Sequence, residues 1–222
     1  MFKVEAAELA DGYHALCVHA PRRTKPYLSK TRSGFAPIDV SGRRLEERRA
    51  MALFNRKEIN FKNGDHLRLL DYQFPLKSVR GDHGIGKIDL LGRYADGTLA
   101  VIELKVEGNA EDRRVGLLEG LIYAAILEAN LPIIAAEINA MHGFQVVNAR
   151  PKIMLVAPPQ FWSDSRCRPP LADIKRLAAE VMAAIPINIT LWNLEGLDQI
   201  GLGLDGSPPT IHSDLILSPV LG

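Results

Sequence analysis

Cysteine is almost missing from this chain. Cys17 and Cys167 stand far apart, and neither has a His or a second Cys at metal-ligand spacing. That argues against a disulfide scaffold and against a zinc site. No apolar run approaches the roughly 20 residues needed to span a bilayer, and residues 1–20 carry acids where a signal peptide is apolar. The expectation is a cytoplasmic protein with no membrane attachment. No G-x-G-x-x-G or Walker-type loop follows an apolar run, so a nucleotide-binding reading loses its main support. The six histidines are dispersed and no Ser, His and Asp set stands out, which leaves a hydrolase triad without an anchor. His83 lies in a loop at a place from which it can approach the stretch described next, although an isolated loop histidine is ordinarily surface.

What is present is a hairpin. Residues 86–106 read G-K-I-D-L-L-G-R-Y-A-D-G-T-L-A-V-I-E-L-K-V, two apolar runs around Ala95-Asp96-Gly97. Asp-Gly between such runs is a strong hairpin signal. With a three-residue loop and Gly97 left-handed, Tyr94 faces Thr98 and Asp89 falls opposite Glu103. Period-two alternation then puts Lys87 and Lys105 on the face of the two acids. Ile88, Leu90, Ala100, Ile102, Leu104 and Val106 fall on the other, giving one core face and one charged face. A two- or four-residue loop scatters these charges. Carboxylates opposed at about 5 Å between Cβ atoms repel unless something positive lies between them. A hard divalent cation with oxygen ligands is the usual answer, with Lys105 as a partial neutraliser.

The 222 residues suffice for one sizeable core, and nearly half of them are apolar. The net charge of +1 conceals an asymmetry: 19 Lys and Arg against 14 Asp and Glu in residues 1–110, and 8 against 12 in residues 111–222. Such a polarity either presents a positive face to a polyanion or is plain solvated surface.

Residues 1–40 read as an extension: a small hairpin around Asp11-Gly12, then a mobile basic loop holding Arg22, Arg23, Lys25, Lys30 and Arg32, equally a phosphate grip or a solvated linker. Ser41 caps a helix expected over 42–58. There Glu47 shares a face with Ala50, Met51 and Phe54, so Glu47 rather than Glu46 is expected to point inward. Either a metal site or one of the neighbouring arginines is its partner. Strands are expected at 66–78, broken near Pro75, at 151–158 and at 187–194. Helices are expected at 111–130, 132–141 and 171–184; the first is apolar nearly all round and begins with Arg113 and Arg114, where an anion is welcome. The alternation implies an α/β architecture, a central mixed β-sheet flanked by helices over residues 41–195. The tail from 196 is turn-rich and its role is not readable.

Asp89, then E-L-K at Glu103, Leu104 and Lys105 in a hairpin, preceded by a helix with an acid and followed by a buried helix, resembles the PD-(D/E)XK nuclease superfamily. The likeness covers about residues 41–194. Two positions depart from its pattern. Ile88 stands where a proline names the family, and Glu119, four residues before Tyr123, stands where many relatives carry Gln. The resemblance implies a restriction-endonuclease-like core and a phosphodiesterase using Mg²⁺ or Mn²⁺. Asp89, Glu103 and the Leu104 carbonyl would hold the metal, Lys105 would position or help deprotonate water, and Glu47 would hold a second ion or a water. It further implies backbone contacts to nucleic acid, DNA rather than RNA, from Arg43, Arg44, Arg48 and Lys87, with Arg113 and Arg114 beside them. The roles of Glu119, Tyr123 and His83 stay open. So does a homodimer, since relatives that cut both strands often pair. The rivals are an inactive nuclease-like binding or assembly module and a hydrolase of small phosphate esters.

Overall fold

The structure is a computed structural model. It describes residues 2–28, 45–77, 86–108, 111–195, 200–201, 210–211 and 216–220. His83, Arg43, Arg44, Ser41 and residues 30 and 32 of the basic loop lie outside them.

The chain begins with helix α1, Phe2–His19, where a hairpin was expected. The helical stripe Ala6, Ala10, Tyr13 overrides the short alternating runs, because those three are buried in the main cluster against the later helices. The Tyr13 hydroxyl donates to Glu128 at 2.5 Å, and Arg150 donates to both oxygens of the same carboxylate, tying α1 down. The described part of the basic loop is held as well. Tyr27 is buried and stacks on Phe74, the Tyr27 and Leu28 amides donate to Glu137, and Arg23 donates to the Lys77 carbonyl.

Helix α2 (Leu45–Arg56) is followed by strands β1 (Glu58–Phe61), β2 (His66–Pro75), β3 (Lys87–Tyr94) and β4 (Leu99–Leu104). Helices α3 (Arg113–Ala129) and α4 (Leu131–His142) lead to β5 (Lys152–Ala157). The short α5 (Pro159–Ser163), α6 (Leu171–Ala184) and β6 (Ile189–Leu194) come next, then β7 (Ile200–Gly201), β8 (Thr210–Ile211) and β9 (Ile216–Pro219). The expected strands and helices from residue 66 to 194 are present.

The sheet is mixed, with β1 to β4 antiparallel in sequence order and β4, β5 and β6 parallel. It does not end at its edges. β9 lies antiparallel to β6 and parallel to β1, so the seven strands close on themselves as a barrel. The C-terminal tail therefore supplies the closing strand.

Closure explains the burial. Leu67, Leu69, Leu90, Ala100, Ile102, Leu104, Met154, Val156, Leu194 and Leu217 turn inward and form one cluster with Met51, Leu53 and Phe54 of α2. Leu91, Leu99, Val101, Ile153 and Leu155 turn outward beneath α1, α3, α4 and α6. Both faces of the hairpin are thus buried, which corrects the expectation of one core face and one charged face. No single helix among the described residues is long and apolar enough to cross a membrane; the apolar α3 is accounted for by its position against the sheet.

Candidate active site

The turn has the three-residue geometry. Gly97 is left-handed at φ 89°, its amide donates to the Tyr94 carbonyl at 3.0 Å, and the Tyr94 amide donates to Thr98 at 2.9 Å. The register follows, Arg93 opposite Leu99 and Leu90 opposite Ile102, so continuing it sets Asp89 opposite Glu103. Regular pairing stops at Leu90 and Ile102. Beyond it the Asp89 carboxylate takes the role of a backbone acceptor, Oδ2 receiving the Leu104 amide at 3.0 Å. Oδ1 receives the Gln73 side-chain amide at 2.9 Å.

Gln73 is a residue that reading the sequence missed. It lies in β2 with φ 49°, a conformation that costs a non-glycine residue about 1–3 kcal/mol. The strand faces exchange there: Tyr72 and Leu90 belong to the inner cluster, Phe74 and Ile88 to the outer. Ile88 and Leu90 therefore do not share a face as strict alternation requires. The twist leaves Asp89 between the layers with the Gln73 amide against it.

Lys105 follows β4, and its amide donates to the Val156 carbonyl at 2.9 Å. Its ammonium lies 3.0 Å from Glu119, 3.0 Å from Glu111 and 3.4 Å from Glu103. Gly116 lets it lie across α3, because a Cβ there would stand 3.0 Å from the Lys105 Cε. Gly86 does the same for Tyr123: a Cβ at 86 would come 2.0 Å from the tyrosine oxygen. Glu119 and Tyr123, one turn apart on α3, thus both face the hairpin, while Glu111 carries no signal in the sequence.

Asp89, Glu103 and Lys105 are all buried, and burial sets the electrostatics. It raises Asp89 to about 6, against the pull of the Leu104 amide and of Lys105. It raises Glu103 well above the carboxylate range, and the Asp89 charge adds to the effect. Burial pulls Lys105 down, but Glu103, Glu119 and Glu111 outweigh it and hold the ammonium above the ordinary lysine range. Tyr123 is raised by burial and then by Glu103.

Glu46, next to the Glu47 expected to point inward, is linked electrostatically to this group. Glu46 is raised to about 7, first by burial, with Lys105, Asp89, Glu111 and Glu119 as its charged neighbours, and its Oε1 is buried without a hydrogen-bond partner. On the same helix Arg48 and Arg49 are both buried, and Arg49 bonds both oxygens of Glu107.

Two of the arginines expected to touch nucleic acid are buried. Arg48 is 2% exposed. Arg113 is 4% exposed and donates to the carbonyls of Phe161, Trp162, Asp164, Cys167 and Pro169, holding the α5 segment onto the start of α3. Arg114 is exposed but folded onto Asp112, the N-cap of its own helix, at 2.5 Å. Lys87 is exposed at the first position of β3.

Among the described residues no group of three or more His, Cys, Asp and Glu side chains is arranged to hold a metal ion. The donor chemistry nonetheless suits a hard cation: two adjacent carboxylates, with Glu103 Oε2 and Glu46 Oε1 buried and unbonded. Comparison with known protein families, curated proteins and solved structures finds no match to this chain.

Proposed function

We propose that the protein is a divalent-metal-dependent phosphodiesterase acting on nucleic acid, DNA in the first instance, on a restriction-endonuclease-like core whose sheet has curled closed. One observation carries the reading. The hairpin register sets Asp89 opposite Glu103 in a buried place, with the Lys105 ammonium beside them and a Glu103 oxygen unbonded. Buried carboxyls without full hydrogen bonding are costly, and a fold keeps them where a cation or a reaction offsets the cost.

In this reading Asp89, Glu103 and the Leu104 carbonyl hold Mg²⁺ or Mn²⁺. A bound divalent cation supplies positive charge at the phosphoryl oxygen and makes water more acidic. Lys105, kept protonated by three carboxylates, is a donor and not a base: its ammonium orients the attacking water and offsets charge growing on the phosphate. Glu46, raised to about 7, is the group tuned to take the proton from that water near neutral pH.

One observation favours the rival, an inactive fold that only binds: Lys105 is already surrounded by Glu103, Glu111 and Glu119, a network sufficient in itself. A cleavage assay on plasmid, single-stranded and branched DNA, RNA and a small phosphodiester, with Mg²⁺ or Mn²⁺ against chelator, decides between them. Metal-dependent cleavage of a polymer that vanishes in Asp89→Asn supports the nuclease. Absence of cleavage on every substrate, with no cation-dependent rise in Tm, removes it.

A further inference from the structure

Away from the carboxylates, the outer face of β2 and β3 carries an arrangement that the sequence reading did not assign. Arg68 and Arg93 are direct partners on adjacent antiparallel strands. Like charges in that relation destabilise a sheet. Both guanidiniums lie over the ring of Phe144, at 4.8 and 5.4 Å from its centroid, and Arg93 also donates to the Gln145 carbonyl at 2.8 Å. His142 stacks on the same ring, 5.8 Å between centroids. Its imidazole is pushed below the ordinary range by burial and then by the charges of Arg68 and Lys57. Lys57, itself exposed and left-handed at φ 67°, sets its ammonium 3.6 Å over the Phe54 ring. The acids in reach are Glu58, 3.6 Å from Arg68 and half exposed, and the buried Asp71 near Lys57.

The fold thus gathers three cations, Lys57, Arg68 and Arg93, and the imidazole of His142 around aromatic rings at the surface, with one exposed carboxylate among them. Contact of both guanidiniums with the Phe144 ring restricts them, which lowers the entropy lost when they pair with a ligand. We propose that Lys57, Arg68, Arg93 and His142 form a docking surface for the phosphate backbone of a nucleic acid. The arginines lie side by side on the outer face of the sheet, which suits a polyanion lying across that surface better than a small phosphate held in a closed pocket. Phe144 is engaged by the arginines and so is not free to stack on a base; recognition is of backbone, without sequence preference. Arg93 is four residues from Asp89 on one strand, about 13 Å at the strand rise, so one extended ligand reaches both. The choice of nucleic acid over other polyanions rests on the phosphodiesterase reading.

The test is binding, separate from cleavage. Fluorescence anisotropy of a labelled mixed-sequence duplex, in chelator, compares wild type, Arg68→Gln/Arg93→Gln, Arg68→Lys/Arg93→Lys, and Lys3→Gln on α1 as an exposed control. The surface predicts about tenfold or more loss in the double glutamine variant, and a log-affinity against log-salt slope shallower by roughly 2 between about 50 and 200 mM salt. The double lysine variant retains most of the affinity, which also guards against a folding defect, while Lys3→Gln binds as wild type. Unchanged affinity and slope in the glutamine variant overturn the proposal whatever the cleavage assay shows. So does binding of anionic phosphatidylserine vesicles with none of DNA. Loss of binding in that variant, in a wild type that never cleaves, leaves the surface standing and removes the nuclease.

Discussion

The proposed nuclease assigns Lys105 and Asp89 different roles, which substitution separates. Lys105→Ala removes a cation from among three carboxylates, so on that proposal it should abolish cleavage while a divalent cation still raises Tm, by as much as in wild type or more. Asp89→Ala would remove a ligand and should lose both. If the charges are only a network, no divalent cation raises the wild-type Tm, and both variants destabilise alike; cation-dependent scanning fluorimetry reads the difference. The pH dependence follows from burial. Asp89 and Glu46 hold their protons more tightly folded than unfolded, so their contribution to stability is complete below their unfolded values, near pH 4. It is lost as pH rises through about 6 and 7. In chelator, Tm is therefore expected to fall between pH 5 and 8. Glu103, raised further, adds to the same fall, so Asp89→Asn and Glu46→Gln lessen it without abolishing it, and His142, lowered by burial, works in the opposite direction. Mg²⁺ recovers more Tm at pH 8 than at pH 6, since it binds the ionised form. A Tm that is flat or rising in wild type, and unaffected by either substitution, contradicts this assignment.

At the scale of the element, α2 and α3 each place one acid or base where phase alone does not. Glu46→Gln should lower the cleavage rate by about 10²-fold, the size of a general-base contribution, with Glu47→Gln close to wild type. The reverse order would mean that α2 is turned the other way. At the start of α3, Arg113→Met leaves five carbonyls short of a donor inside the protein. A loss of roughly 3–5 kcal/mol is expected by urea unfolding, with no change in DNA affinity beyond what unfolding explains. Weakened DNA binding at full stability would restore Arg113 to the nucleic-acid contacts. Gly86→Ala belongs here as well, since it drives the Tyr123 hydroxyl out of place and should disturb the α3 face of the site.

For the whole molecule the decisive feature is closure. Leu217 is fully buried in the inner cluster, and β9 bridges β6 and β1. Leu217→Ala should cost about 2–5 kcal/mol. Truncation after residue 195 should cost more, exposing two strand edges and the inner cluster together. A truncated chain that unfolds at the wild-type urea midpoint would show that β9 is dispensable.

Local signals were enough for the hairpin turn, the pairing of Asp89 with Glu103, the placement of Lys105 beside them, and the strands and helices from residue 66 to 194. An Asp-Gly turn and period-two alternation are short-range constraints that act before any tertiary contact forms. What those signals left undecided depends on what lies above and below. The first helix is helical because α3 and α6 cover its Ala6, Ala10, Tyr13 stripe. Arg113 is internal because a distant segment offers it carbonyls, and Arg49 is internal because Glu107, beyond the hairpin, meets it with both carboxylate oxygens. Closure of the sheet by residues 216–219 encloses the inner face of the hairpin, α3 covers the outer face that carries its charges, and the left-handed Gln73 swaps the strand faces beside Asp89. Each of these is a long-range competition for burial and for buried hydrogen-bond partners, and such a competition leaves no period in the chain for a reader to find.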